Sequence, residues 1–147
     1  MAKILIVYHS QTGNTEKLAQ AVKQGAEAEG LEVILKKAGD ADLNDLLGCD
    51  GYCFGTPDYF SYMAGALKDF FDRTYYPAKG KLTGRPFVCF VSHGGGGAAV
   101  SSLTKMAEKF GLKSCAAPLS AEGKPDKSDL QKAEDLGGKL AQTVSKA

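Results

Sequence analysis

The sequence has no tryptophan, only two histidines and five prolines in 147 residues. No apolar run approaches the roughly 18 residues of a membrane span. Neither sign of charge is in excess: eighteen basic and seventeen acidic side chains leave a net charge of +1. That balance disfavours a polybasic nucleic-acid binder and a strongly acidic carrier alike. The four cysteines, Cys49, Cys53, Cys89 and Cys115, match no metal-binding spacing, and the distant histidines add no ligand set. Three of them lie in apolar runs and Cys49 just before one, as expected for buried, reduced thiols of a cytoplasmic protein. Met1-Ala2-Lys3 leads directly into a strand-like segment rather than a targeting pattern. There is no repeat, low-complexity tract or charged tail. What remains is 44% hydrophobic and 24% charged, enough for one core, and residues 1–147 are expected to form a single domain.

Two periods alternate along the chain. Ile4-Leu5-Ile6-Val7 is apolar without interruption, which suits a strand covered on both faces. Leu18, Ala19, Val22 and Ala26 then follow helical spacing, and Gly30 marks the stop. Val33-Ile34-Leu35, between Glu32 and Lys36-Lys37, reads as a charge-guarded edge strand. A linker containing Leu43, Leu46 and Leu47 precedes a third strand, Gly51-Tyr52-Cys53-Phe54. Met63, Leu67, Phe70 and Phe71 return to helical spacing. Phe87 to Val91 is the fourth strand, followed by a helix through Val100, Leu103, Met106, Ala107 and Phe110. Ser114 to Ala117 is a weaker fifth strand. Ser128 with Gln131 resembles a capping box for a last helix through Leu136, Leu140 and Val144. This alternation predicts a doubly wound α/β fold: a five-stranded parallel sheet, order 2-1-3-4-5, with helices on both faces. Ligands of such folds lie at the strand C-termini.

The segments leaving strands one, three and four therefore share one edge, and they are the most unusual in the sequence. Ser10-Gln11-Thr12-Gly13-Asn14-Thr15 is either an ordinary polar turn with a helix cap or a phosphate cradle. A helix N-terminus offers open N–H groups and a positive dipole, and no Lys or Arg stands in this segment. Gly55 to Met63 holds three aromatics, Tyr59, Phe60 and Tyr62, beside Pro57, Asp58 and Ser61. It either folds back on its own helix or offers a surface to a planar ligand. Ser92-His93 and Gly94, Gly95, Gly96 and Gly97 form either a flexible loop or a backbone that approaches a ligand closely. Together the three segments describe a site for a flat phosphorylated cofactor.

Other nucleotide-fold chemistries fail on residues. Gly94 to Ala99 formally matches G-x-G-x-x-A, but only one strand follows it, too little for a dinucleotide domain. The Gly-Lys-Ser/Thr of a Walker loop is missing. A receiver domain needs an aspartate pair where His9-Ser10 stands. No cysteine is followed six residues later by the arginine of a low-molecular-weight phosphatase.

The Ser10–Thr15 segment resembles the FMN-phosphate loop of flavodoxins. Gly55-Thr56-Pro57, with Phe60, Met63-Ala64-Gly65, Lys68, Phe70 and Asp72, is similar to the WrbA-type FMN-dependent NAD(P)H:quinone oxidoreductases, which are flavodoxin-like themselves. The resemblance covers essentially the whole chain. It implies FMN as cofactor, with Ser10, Gln11, Thr12, Gly13, Asn14 and Thr15 on its phosphate. Pro57, Asp58, Tyr59, Phe60 and Ser61 would line the isoalloxazine, and Ser92 through Gly97 its pyrimidine and dimethylbenzene sides. No side chain need act as nucleophile or general base. His93 lies either near the flavin, modulating its potential, or in solvent.

Two departures bear on function. Flavodoxins are typically acidic; this chain is nearly neutral, so long-range steering is weak unless charge clusters locally. Flavodoxins also commonly place a glycine in the aromatic loop, whose peptide flips to accept a hydrogen bond from the reduced flavin. No glycine stands between Pro57 and Met63, and a positive φ at Asp58, Tyr59 or Phe60 is expected to cost about 1–2 kcal/mol more. The glycine-rich loop also lacks an aromatic to shield the flavin's outer face. Two functions follow from the resemblance: an electron carrier for redox partner proteins, slightly favoured, and an enzyme passing hydride from NAD(P)H to a quinone or similar small acceptor. A stretch at Tyr75-Tyr76-Pro77, with Lys79 and Lys81, reads as a surface bend or the border of a substrate pocket.

Overall fold

Ile4, Leu5, Ile6 and Val7 are all completely buried in β1 (Lys3–Tyr8). A strand with no polar face must be covered twice. The computed structural model, which describes residues 2–147, shows how; Met1 of the Met1-Ala2-Lys3 start lies outside the described residues. Ile4, Ile6 and Tyr8 face α1 (Asn14–Glu27) and α5 (Lys127–Lys146). Leu5 and Val7 face the opposite layer, built from α3 (Gly65–Ala78) and α4 (Ala99–Lys109) with the short α2 (Leu43–Leu47).

The remaining strands are β2 (Glu32–Lys37), β3 (Gly51–Pro57), β4 (Pro86–His93), β5 (Lys113–Ser114) and β6 (Leu119–Glu122). Their order is β2-β1-β3-β4-β5, all parallel, with β6 also pairing β4. The doubly wound parallel fold and its strand order stand as expected, and β2 is the charged edge strand.

Several boundaries differ from the sequence reading. The linker around Leu43 is helical, because Asp42 and Asp45 form a reciprocal capping box that closes one short turn. Strand three continues through Gly55, Thr56 and Pro57, and strand four through Ser92 and His93. Gly55 is a packing residue: a Cβ there would lie 2.0 Å from the Phe90 ring. The fifth strand is split. Lys113–Ser114 pairs with the start of β4 and Leu119–Glu122 with its end. Pro118, which has no N–H to donate, stands in the interruption. The cap of α5 is Asp126 with Asp129, two residues ahead of the Ser128 pattern. Tyr75, Tyr76 and Pro77 are the last turn of α3 rather than a bend.

The cysteines carry no disulfide; Cys49, Cys53 and Cys89 are buried and Cys115 is half-buried. Burial pushes the Cys49 thiol up to about 11 and those of Cys53 and Cys89 further, so these thiols stay protonated and unreactive. Among the described residues no His/Cys/Asp/Glu cluster could hold a metal, and no helix is long and apolar enough to cross a membrane.

The α1–α5 contact sets where the first loop sits. A Cβ at Gly25 would meet the Glu134 carbonyl oxygen at 1.9 Å, and one at Gly137 the Val22 carbonyl oxygen at 2.0 Å. The neighbouring Gly138 has only Gly25 O, at 3.8 Å. Gly137→Ala is therefore expected to destabilise by about 1–3 kcal/mol or more through overpacking. Gly138→Ala, one residue on in the same helix, is expected to stabilise by about 0.5–1 kcal/mol through helix propensity. Urea unfolding midpoints of the two variants against the parent check the opposite signs.

Candidate functional site

Strands β1, β3 and β4 end at one edge of the sheet, where Tyr8 pairs with Gly55 and, two residues further along, Pro57 pairs with Ser92. The loops leaving them enclose a cavity of about 230 Å³. Gln11, Thr12, Asn14 and Thr15 line it from the first loop. Pro57, Asp58 and Tyr59 line it from the second, and Ser92, His93 and Gly94 from the third. Ser10, Gly13, Phe60, Ser61, Gly95, Gly96 and Gly97 belong to the same loops but do not line the cavity itself. Gly123, after β6, also lines it. Sequence reading missed that residue, although Gly123-Lys124-Pro125 is a turn signal directly after a strand. A larger groove of about 700 Å³ runs along α1, α5 and the Cys115–Pro118 break. It lies on a helix flank where no strand C-termini converge.

Four hydrogen bonds tie the loops to one another. The buried hydroxyls of Thr15 and Ser92 are 2.7 Å apart, joining the first loop to the third. The Tyr59 phenol donates to Gln11 Oε1 at 2.8 Å, strapping the second loop to the first. Asp58 Oδ2 accepts from Ala99 N–H at 3.1 Å, joining the second loop to the start of α4. Asp58 N–H donates to the Ser92 carbonyl at 2.8 Å, reinforcing that join.

The first loop is built to leave donors open. Gly13, at φ 103°, turns the chain into α1 in the left-handed region that glycine occupies without strain. Its own N–H donates to Ser10 Oγ at 3.1 Å, yet no side chain caps the helix. The amides of its first turn therefore have neither an intrahelical partner nor a side-chain acceptor. The Thr12 side chain is exposed beside them. Such an end attracts an anion through hydrogen bonds and dipole without any cationic side chain.

In the second loop the conformation expected to be costly is present. Positive φ does occur without glycine, at Phe60 (57°) and Ser61 (65°). Tyr59 and Tyr62 exchange backbone hydrogen bonds of 2.9 and 3.1 Å, so the two left-handed residues are the centre of a tight hairpin. That sign pattern belongs to the type I′ turn, which favours Asn-Gly. What holds the non-glycine residues there is Asp58, whose Oδ1 accepts from Ser61 N–H at 2.8 Å. At the loop's base, buried Thr56 accepts from Ala64 N–H at 2.8 Å. Phe60 projects fully into solvent.

In the third loop His93 Nδ1 accepts from Gly95 N–H at 3.0 Å, which assigns the ring proton to Nε2. Gly97, at φ 74°, lies so near the neighbouring strand that a Cβ would be 2.9 Å from Ser120 Oγ. Asp58 and His93, which line the cavity, thus accept bonds from loop amides, while the Tyr59 phenol beside them donates to Gln11. Near the first loop Tyr8 donates to Glu16 Oε1 at 2.9 Å. Its burial, and then that carboxylate, push its phenol up to about 12.

The sequence matches the Flavodoxin family over residues 6–137. A flavodoxin of Aquifex aeolicus is 36% identical over 117 residues, which cover 76% of this chain and 63% of that protein; the match thus spans less than two thirds of the relative's length. An NAD(P)H dehydrogenase (quinone) of Archaeoglobus fulgidus is 29% identical, over 99% of both chains. Among solved structures, a flavodoxin from the domain Archaea superposes with a TM-score of 0.87 at 25% identity, covering 97% of this chain and 99% of that one. With the strand order, the open helix N-terminus and the loops at one edge already established, the family match completes the assignment: this chain belongs to the flavodoxin family.

Proposed function

We propose that the protein is an electron carrier that holds FMN in the cavity at the strand C-termini. FMN, the cofactor of this family, supplies the redox chemistry when bound. The donor set suits it: Ser10, Thr12 and Thr15 hydroxyls, the Gln11 and Asn14 amides, and the open first turn of α1 provide a neutral cradle for a phosphate. In this reading Pro57 to Ser61 and Ser92 to Gly97 would border the isoalloxazine.

The observation that carries the reading is the Tyr59–Tyr62 hairpin. Its left-handed Phe60 and Ser61 already hold the conformation that a glycine would otherwise supply, so the loop bears that strain in its resting structure. Asp58 and His93 are engaged as acceptors by Ser61, Ala99 and Gly95. They shape the loops through those bonds. A site whose polar side chains are spent on holding loops around a cofactor suits electron transfer.

Riboflavin, lacking the phosphate, is expected to bind far more weakly than FMN. Thr12→Ala is expected to weaken FMN by about 1–3 kcal/mol with little effect on riboflavin. Thr12 is preferred to Thr15, whose loss would also orphan the Ser92 hydroxyl. Calorimetric titration of the unloaded protein checks both, and equal affinity for the two flavins would rule out the phosphate cradle.

Anaerobic potentiometry of the FMN-loaded protein is expected to resolve two separate one-electron potentials. Steady-state NADPH oxidation with a quinone acceptor should be negligible. A single two-electron wave together with rapid NADPH turnover would replace the carrier with a quinone reductase, the activity named for the Archaeoglobus relative.

A further inference from the structure

Phe60, Tyr62 and Tyr76 are the exposed large aromatic side chains among the described residues. Two of them line adjoining grooves beside α4, the second of which lies between α3 and α4. Tyr62 and Ser61 open a groove of about 400 Å³ along α4. Tyr75 and Tyr76 border a second, of about 500 Å³. Met106 and Lys109 belong to both, so the two form one track. It starts at the hairpin whose Tyr59 lines the cavity and runs down to the last turn of α3.

The aromatic end of the track is rigid. Tyr76 packs edge-on against Tyr75, with ring centroids 5.1 Å apart, and Tyr75 packs against Phe110 at 5.2 Å. Tyr76 is 78% exposed, yet it stands on a fixed base. Exposed aromatics and methionine on rigid elements are the composition of protein–protein contact surfaces.

The charge beside the track has one sign. Lys105 and Lys109 are exposed, one helical turn apart, and take part in none of the ion pairs among the described residues. Asp72, the acidic residue of the lining, is closed on Lys68 at 2.6 Å. Glu108, the single acidic residue of α4, does not line either groove. A chain of net charge +1 therefore gathers two uncompensated positive charges along one aromatic track beside its cavity. Clustered charge of this kind steers association and selects a partner of the opposite sign. The track is open and elongated, and no buried polar donors converge on it, unlike a pocket that encloses a small ligand.

We propose that the α3–α4 track docks an electron-transfer protein whose contact face carries carboxylates around an apolar patch, with Lys105 and Lys109 as its charged rim. The proposal rests on the carrier reading and specifies its partner.

The test uses the FMN-loaded, ¹⁵N-labelled protein with the acidic haem protein cytochrome b5 as probe and basic cytochrome c as control, at about 20 and about 200 mM salt. Cytochrome b5 is expected to shift the amide signals of Tyr62, Tyr76, Lys105 and Lys109. Its affinity should fall at least about ten-fold in the Lys105→Glu/Lys109→Glu variant and again at the higher salt. Cytochrome c should leave those signals in place. Lys105→Gln/Lys109→Gln should fall between, and unchanged FMN absorbance shows that the fold and site are intact in each variant. Shifts confined to other surfaces, or an affinity unchanged by charge reversal, would overturn the docking surface. So would NADPH moving these signals while cytochrome b5 does not, which would make the track a nucleotide site. Stopped-flow mixing of the reduced protein with cytochrome b5 separates the two readings. Docking through these residues without haem reduction counts against the carrier alone, and haem reduction indifferent to charge reversal counts against the track alone.

Discussion

The constraint from which the site follows is that β1, β3 and β4 run parallel and end at the same edge of the sheet. A parallel strand must return through a crossover helix, so each strand C-terminus releases a loop and each loop enters a helix N-terminus. Three loops are thereby delivered to one edge whatever their sequences. Short polar contacts then convert that proximity into a cavity: hydroxyl to hydroxyl between Thr15 and Ser92, phenol to amide between Tyr59 and Gln11, and carboxylate to backbone amide between Asp58 and Ala99. Each joins a different pair of loops, so none of the three is held by its own helix alone.

The central strands were legible because burial on both faces leaves no room for polar residues, and Ile4–Val7 and Phe87–Val91 show that directly. Helix faces were legible for the complementary reason, as Leu18, Val22, Leu136 and Leu140 all reach the core. What escaped was conformation set by tertiary contact. Gly55 looked like a loop glycine, yet its role is to clear space for Phe90. The cap at Asp126 was displaced from the Ser128 pattern by two residues, within the range over which neighbouring polar side chains compete for one helix end, and the fifth strand read as one segment is broken at Pro118. Left-handed Phe60 and Ser61 were the least legible. Neither residue type announces a positive φ, and the Asp58 carboxylate that holds them there also serves a second loop.

Asp58 and His93 illustrate a division of labour in the cavity. Both are ionisable and both line it, but each spends its acceptor on a backbone amide. Polar side chains that orient loops in this way fix the outline of a site. The reactive electrons in a flavodoxin-family protein belong to the cofactor, and the chain contributes position, access and partner choice.

The glycine contacts between α1 and α5 lie at the far end of the molecule from this cavity. Gly25 is eleven residues from Asn14, roughly 16 Å along the helix axis. Where Glu134 O and Val22 O meet glycine rather than a methyl group, the two helices approach backbone to backbone, and such a contact cannot slip by a rotamer change. Helix α1 is then a rigid rod clamped at its tail, and its head holds the open amides. The positional accuracy of those open amides is inherited from a joint outside the cavity lining.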